Sequence, residues 1–214
     1  YLEQRSLFMS TSGSRLAMPK LRPPNSLGNL DGAGDFLIID CPGSSSPAVR
    51  MAHSLAHTVI TPVNDSMIDI DLLVHLDPRS LQPGVPGIYA KWLLEVRKTR
   101  LAEKRGTTGL DWLVVRNRRP LKPDPNTRDV WTALENTSNV LGFRLVDGMC
   151  DRPIFRQLFL YGLTVFDLDR PEFDVPETRA LATAREEVDC LLRALWLPHL
   201  SDRLEQEAAN YKLN

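Results

Sequence analysis

The stretch from Phe36 to Gly43 limits the possible folds more than any other part of the chain, because an apolar run ends there in a carboxylate and a Pro-Gly turn. A strand of a parallel sheet has both faces covered, so it reads as a continuous apolar run. Phe36-Leu37-Ile38-Ile39 shows this pattern, which places Asp40 at the carboxyl end of a buried strand. Ligands of open α/β sheets bind outside these strand ends. The stretch therefore favours a ligand-binding α/β sheet, although a plain core strand that ends in a turn explains it equally well.

Strand and helix patterns alternate along the rest of the chain. Further strands are predicted at residues 58–63, 110–115 and 143–146, and helices at 48–56, 67–76, 88–103, 127–141 and 176–197. Residues 1–9 are predicted to be helical, and residues 77–87 to form a loop. This alternation predicts an α/β fold with a doubly wound, mostly parallel sheet and helices on both faces.

The whole chain, residues 1–214, is predicted to form a single α/β domain. Residues 1–34 would form an N-terminal helix and an irregular excursion, 35–170 the core, and 171–214 a C-terminal helix and tail. The composition, with 43% hydrophobic and 25% charged residues, is ordinary for a globular protein. The formal net charge of -1 provides no global attraction to nucleic acid or membrane.

Two further features of the composition bear on location and chemistry. No apolar run is long enough to span a bilayer, so no membrane partner is expected. The three cysteines lie far apart and include no CxxC pair, which favours a reducing cytoplasm over a disulfide framework. His53 and His57 have the spacing of a metal pair on a helix, but no third ligand is evident, and a surface or core-edge position is the stronger interpretation.

Polar side chains follow three successive predicted strands at the point where each strand ends. Asp40 closes the first, Asn64 and Asp65 the second, and Asn117 the third. The carboxyl ends of parallel strands meet at one edge of a sheet, so these groups are expected to share a crevice. Gly43 lacks a Cβ, which allows its amide to approach a phosphate closely. The pattern predicts a nucleotide-binding crevice.

The order of these motifs resembles the ParA/MinD family of deviant Walker ATPases, and within it the MipZ-type branch that positions the division plane. The likeness covers roughly residues 1–170 and is carried by IIDCPG, TPVNDSMIDID, DWLVVRNR and DRPIFRQLFLYGLTVFDL. It implies a P-loop NTPase fold of the SIMIBI type that binds ATP and Mg²⁺, hydrolyses ATP slowly and switches to a homodimer. It also implies non-specific DNA binding, a ParB-type partner and a cytoplasmic, nucleoid-associated role in division-site positioning or in chromosome and plasmid partitioning.

The resemblance assigns roles to individual positions. Asp40 corresponds to the Walker B acid, which holds Mg²⁺ through water, and Gly43 to the switch II glycine whose amide contacts the γ-phosphate. Asn117 corresponds to the residue that hydrogen-bonds adenine, and Pro42 and Arg118 would also border the nucleotide. Cys41 departs from the family, which commonly has threonine there.

The family's phosphate loop, GxxxxGK[ST] with an extra lysine, is expected upstream of Tyr1 together with its strand and helix, and it is not in this sequence. Phosphoryl transfer depends on the amides and lysine of that loop. The chain as written is therefore expected to be inactive as an ATPase, either as a shortened form of a normal ATPase or as a degenerate relative. The alternative hypothesis is a non-catalytic α/β interaction module that has lost the nucleotide site.

A basic cluster lies near the C-terminal end of the helix predicted at 88–103. Its members are Arg97, Lys98, Arg100, Lys104 and Arg105. Cations of this kind can bind DNA phosphates, and the resemblance favours such a surface. The negative end of the helix dipole explains the same cluster without DNA.

Overall fold

A computed structural model describes residues 4–10, 36–43, 46–102, 109–167 and 179–195, with only the backbone for 4–10. Its seven strands are β1 (Gln4–Ser10), β2 (Phe36–Pro42), β3 (Thr58–Asn64), β4 (Val74–Leu76), β5 (Pro83–Pro86), β6 (Asp111–Asn117) and β7 (Arg144–Val146). The helices within the same ranges are α1 (Pro47–Leu55), α2 (Met67–Asp71), α3 (Ile88–Ala102), α4 (Pro125–Leu141), α5 (Pro153–Leu160) and α6 (Arg179–Ala194).

Five strands form one sheet in the order β2-β1-β3-β6-β7. The neighbours β3, β6 and β7 are parallel. Strand β1 runs antiparallel to both β2 and β3, so β2 points the same way as the three parallel strands. The predicted α/β fold with a mostly parallel sheet is confirmed, with β1 as its antiparallel member.

Two of the predicted helices are wrong in part. Residues 4–10 form β1 instead of a helix. Pairing on both sides satisfies the backbone groups of β1, and this outweighs a weak local helix preference. The helix predicted at 67–76 ends at Asp71, and Val74–Leu76 instead pairs with Pro83–Pro86 in the segment predicted as a loop. The β-branched Val74 is fully buried in this hairpin, so tertiary packing decides its conformation.

Helix α1 lies one residue before the predicted range 48–56, and α4 begins two residues before the predicted range 127–141. The Ser46 hydroxyl accepts from the amide of Val49 at 3.3 Å at the start of α1. The Asp124 carboxylate accepts from the amide of Thr127 at 2.7 Å and begins α4. Gly142 ends α4 with φ 67°, in the left-handed region that glycine adopts without steric cost. Each of these two side-chain caps joins residues three positions apart in the chain.

The main hydrophobic core lies between one face of the sheet and helices α1 to α4. Its largest fully buried side chains include Trp112 and Leu134. On the opposite face, the end of α6 packs Leu195 against Ile60 and Leu113. A third cluster joins α5 to α6. Within the described ranges, no helix is long and apolar enough to cross a membrane.

Strand β2 is not buried on both faces, contrary to the prediction. It is the outer strand of the sheet in the described part of the chain. Ile39 and Cys41, which face the main core, are 1% and 3% exposed, whereas Ile38 on the opposite face is 43% exposed. On that face the end of α6 packs over β3 and β6 together with Phe36 of β2, while Ile38 remains exposed.

Candidate functional site

The carboxyl edge of the sheet, defined as the last residues of β2, β3, β6 and β7 with the residues that follow them, holds most of the predicted site. Asn64 of β3 and Asn117 of β6 are direct partners in the parallel register. Strand β2 ends at the same edge because two antiparallel steps restore its direction. The expectation that these strand ends share one edge is confirmed.

Asp40 and Asn117 lie at different levels of this edge. Asp40 pairs with Ser6, which also pairs with Ile60, and Ile60 pairs with Leu113. Leu113 precedes Asn117 by four residues, or about 13 Å of strand, and three strand spacings add about 14 Å across the sheet. The two residues are therefore roughly 20 Å apart. They cannot ligate one ion, and only an extended ligand could contact both.

Both residues project from the same face of the sheet. Ile39 and Cys41 are buried in the main core, so Asp40 between them points to the opposite face. Val114 belongs to the main core as well, and by the same alternation Asn117 lies on the opposite face. A ligand that contacts both side chains would have to lie at the carboxyl edge of that face, past the cluster of Ile60, Leu113 and Leu195.

The end of β2 presents an exposed carboxylate and an open turn. Asp40, Pro42 and Gly43 are all exposed. Asp40 makes no hydrogen bond or ion pair with any other described residue. Gly43 lies one residue beyond Pro42, and Pro42 pairs with Gln4 at the start of β1. The acid and the glycine that the sequence singled out are thus accessible and free to contact a ligand.

The carboxamides of the edge differ in availability. The backbone amide and the Nδ2 of Asn64 both donate to the Asp69 carboxylate, at 2.9 and 3.0 Å. Asn117 is half-buried and has no hydrogen-bond partner among the residues that the structure describes. The exposed Arg118 likewise has none, and its φ of 52° places it in the left-handed region. Of these two carboxamides, Asn117 is therefore the one whose side chain is available to hydrogen-bond a ligand.

A buried arginine beside Asn117 was missed by the sequence analysis. The Arg116 guanidinium donates to both oxygens of Asp65, at 2.8 and 2.6 Å, and to Asp147 at 2.9 Å. It also stacks over the Trp131 ring at 5.2 Å. A cation in an apolar strand requires buried anions, and the acids that follow β3 and β7 were the signal for this network.

The network continues to helix α6. Arg119 contacts Asp147 at 3.1 Å, and Arg152 donates to the two oxygens of Glu187 at 3.0 and 2.8 Å. Burial opposes ionisation of Glu187, but hydrogen bonds from Arg152 and Cys150 outweigh it and hold the pKa of this carboxyl below its ordinary value. Burial raises the pKa of the Cys150 thiol, and its hydrogen bond to Glu187 adds to that shift. The carboxyl edge is thus closed on the α6 side by paired charges.

The members of the predicted DNA-contact cluster do not all face solvent. Arg97 points inward. Its Nε and NH1 donate to the carbonyls of Leu110 and Leu141, both at 3.1 Å, and the guanidinium stacks over Trp112 at 5.6 Å. Burial lowers the pKa of Arg97, although the charge of Asp111 opposes that shift. Arg97 thus joins α3 to the sheet and to the end of α4.

The other cluster members have different surroundings. Arg100 donates twice to the carbonyl of Ser54, at 2.9 and 2.7 Å, and so joins α3 to α1. Lys98 is exposed on α3. Lys104 and Arg105 lie outside the described residues. DNA contact by this cluster stays a prediction, and within the described part Lys98 is the member that faces solvent.

Metal binding by histidine is not indicated in the described part of the chain. His53 is fully buried, with Nδ1 at 2.7 Å from the Val49 carbonyl and Nε2 at 3.4 Å from the Tyr89 hydroxyl. No group of three or more His, Cys, Asp and Glu residues within the described ranges could hold a metal ion. His57 is exposed, which fits the predicted surface position, whereas His53 is fully buried in the core rather than at its edge.

The residues present fit parts of a bound Mg·ATP. Asp40 offers the hard oxygen that Mg²⁺ prefers, and Asn117 offers a donor and an acceptor for a base. The described residues include no glycine-rich loop with a lysine to surround the β and γ phosphates. The described residues therefore suit Mg²⁺, through Asp40, and the base, through Asn117, but they do not provide the loop that surrounds the phosphates.

The parallel sheet flanked by helices, with its polar carboxyl edge, defines an α/β protein of the P-loop NTPase-like class. The family model described as "ATPase MipZ" matches residues 1–199. The chain therefore belongs to the MipZ family of ATPases. A search of curated proteins finds no match to the chain.

Proposed function

We propose that this chain is a ParA-like ATPase component that acts in division-site positioning. One observation carries the proposal: within a member of the MipZ family, Asp40 and Asn117 lie at the same edge and on the same face of the sheet, and neither side chain has a hydrogen-bond or ion-pair partner among the described residues. Unpartnered polar groups at the carboxyl edge of an α/β sheet are positioned for a ligand rather than for folding.

The roles of the individual residues are those that the resemblance to the ParA/MinD family assigns. Asp40 would hold Mg²⁺, and the Gly43 amide would contact a phosphate of the nucleotide. Asn117 hydrogen-bonds the adenine, with Pro42 and Arg118 at the border of the nucleotide. The bound metal ion would neutralise phosphate charge. Hydrolysis additionally requires a phosphate loop, which the described residues do not provide.

The proposal extends to assembly and location. The nucleotide-bound form is a homodimer that binds DNA non-specifically on the nucleoid in the cytoplasm and responds to a ParB-type protein. This part is what the resemblance to the ParA/MinD family implies. DNA binding through Lys98 and its neighbours would weaken steeply with salt, because phosphate contacts release counterions.

A second candidate is a non-catalytic interaction module that has lost the nucleotide site. The antiparallel β1 between β2 and β3 favours it, because this strand separates Asp40 from the other strand ends of the edge. The two candidates differ in one property. The first binds Mg·ATP, and the second does not.

The deciding experiment is equilibrium binding of a fluorescent ATP analogue to the purified chain, with and without Mg²⁺. We expect Asn117→Ala to weaken binding about tenfold, equivalent to about 1.4 kcal/mol for the lost base contacts. We expect Asp40→Asn to remove the dependence on Mg²⁺. Asn139→Ala and Asp129→Asn, which change the same residue types at exposed positions of α4, are the matched controls. Absence of binding, or equal binding by all variants, would reject the first candidate.

A further inference from the structure

Arg116 connects the ends of three strands at the carboxyl edge. Its side chain is only 4% exposed. Asp65, which accepts two of its hydrogen bonds, directly follows β3, and Asp147, which accepts one, directly follows β7. Arg116 itself lies in β6, so one guanidinium fixes the positions of the β3, β6 and β7 ends relative to one another. The Trp131 ring of α4 packs over it at 5.2 Å.

The backbone around Asn117 and Arg118 is held by the segment after β7. The Met149 amide donates to the Arg116 carbonyl, and the Arg119 amide donates to the Met149 carbonyl, both at 3.1 Å. Gly148 lies so close that an added Cβ would overlap the Arg116 carbonyl oxygen. The turn formed by Asn117 and Arg118 is thus anchored at the residue before it and at the residue after it.

The backbone of this turn is strained, and the hydrogen bonds at Arg116 and Arg119 keep it in that conformation. Arg118 has φ 52°, a left-handed conformation that is unfavourable for a non-glycine residue. Such strain persists only where the surrounding structure fixes it, and it is concentrated at functional sites. Asn117 and Arg118 lack hydrogen-bond partners among the described residues, whereas Arg116 and Arg119 on either side are both paired. The turn therefore presents two available polar side chains from a fixed frame.

We propose that Arg116 is a positioning residue that sets the Asn117–Arg118 turn and thereby gives the site its preference for adenine over guanine. The inference rests on the proposed nucleotide-binding role of Asn117. A carboxamide can pair bidentately with the N6 donor and N7 acceptor of adenine, whereas guanine offers two acceptors, O6 and N7, at the same edge. This discrimination requires the carboxamide to be held in one orientation, which an anchored turn provides.

Arg116→Lys is the direct test, because a lysine ammonium cannot reproduce the fork that contacts Asp65 twice and Asp147 once. Asp147→Asn is the milder second variant, since Asp147 is 55% exposed and its loss leaves the Asp65 contacts intact. Arg144→Lys is the matched control. Arg144 makes an equivalent two-bond contact to Asp111, at 3.0 and 2.6 Å, at the opposite ends of β6 and β7.

The first readout needs no nucleotide and is amide hydrogen exchange at residues 117–119, resolved by NMR. We expect exchange at least tenfold faster in Arg116→Lys, a smaller increase in Asp147→Asn, and wild-type rates in Arg144→Lys. Equal rates at 117–119 in Arg116→Lys and Arg144→Lys would overturn the positioning role. If Arg116→Lys does not fold, the exchange rates at residues 117–119 in Asp147→Asn are compared with those in Arg144→Lys. Equal rates in these two variants would then overturn the positioning role.

The second readout is the ratio of ATP to GTP affinity of the full chain. We expect the ratio to fall several-fold in Arg116→Lys and to stay unchanged in Arg144→Lys, even where both variants lose similar stability. An unchanged ratio in Arg116→Lys would overturn the specificity role. If no variant and no wild-type chain binds nucleotide, the proposed function fails together with the specificity role, and the exchange rates still decide whether Arg116 fixes the turn.

Discussion

A chain of buried hydrogen bonds between the sheet and helices α1 and α3 allows a stringent test of the packing. Trp112 Nε1 donates to the Thr61 hydroxyl at 3.0 Å, and Thr61 lies 3.0 Å from the Tyr89 hydroxyl. Tyr89 in turn lies 3.4 Å from His53 Nε2, and His53 Nδ1 lies 2.7 Å from the Val49 carbonyl. A carbonyl only accepts, so Nδ1 carries the proton, and in a neutral ring Nε2 accepts from Tyr89. All the donors then point in one direction along the chain.

Tyr89→Phe removes one oxygen from this chain and keeps the ring. The Thr61 hydroxyl loses the acceptor of its proton in a site where Thr61 is fully buried. A buried polar group that loses its partner costs about 1–3 kcal/mol. The longer bond to His53 adds less, so we expect Tyr89→Phe to lower the free energy of unfolding by roughly 2 kcal/mol.

The assay is urea-induced unfolding followed by circular dichroism, with Tyr161→Phe as the control. Tyr161 is 78% exposed, so loss of its hydroxyl should leave stability within about 0.5 kcal/mol of wild type. Tyr89 also contacts the rings of Trp112 and Trp92, and phenylalanine retains those contacts. Equal midpoints for the two variants would refute the hydrogen-bonded arrangement.

Three further predictions concern the carboxyl edge. Gly148→Ala should destabilise the fold by several times the cost of Gly162→Ala in urea unfolding, because both have positive φ but only Gly148 contacts a carbonyl oxygen. Arg118→Gly should raise stability by roughly 1 kcal/mol, since it relieves the left-handed strain, while it weakens ATP-analogue binding; lower stability would contradict the strain. The pKa of Glu187 is depressed in the folded state, so its contribution is present above its ordinary value of 4.5 and is lost as pH falls through the lower folded value. The melting temperature of wild type should therefore fall more steeply below pH 4.5 than that of Glu187→Gln, and parallel curves would contradict this.

The elements that the sequence revealed are those determined by near neighbours. Helices α1 and α4 begin at capping residues three positions from the amides they bind, and α4 ends at a glycine. Strands β3 and β6 carry apolar runs that end in asparagine. Their shared edge followed from one rule about parallel sheets, and the register of Asn64 with Asn117 bears it out.

The features that the sequence did not reveal depend on distant partners. Strand β1 forms because it pairs with β2 on one side and β3 on the other, and no local sequence pattern indicates this pairing. The burial of Arg116 depends on carboxylates 51 and 31 residues away in the chain. The inward position of Arg97 likewise depends on carbonyls supplied by the ends of other elements. The alternation of side chains along a strand predicts which face of the sheet a residue lies on. Only the folded structure shows which side chains it contacts there.

The central claim is that Asp40 and Asn117 bind the metal and base ends of one nucleotide. Paramagnetic relaxation by Mn²⁺·ATP in NMR spectra of the chain tests it most directly, because Mn²⁺ replaces Mg²⁺ at oxygen ligands. We predict the strongest broadening at the amides of residues 38–43, with weaker broadening and a chemical-shift change at the side-chain amide of Asn117. Broadening centred elsewhere, or an Asn117 amide that does not respond to ATP, would contradict the claim.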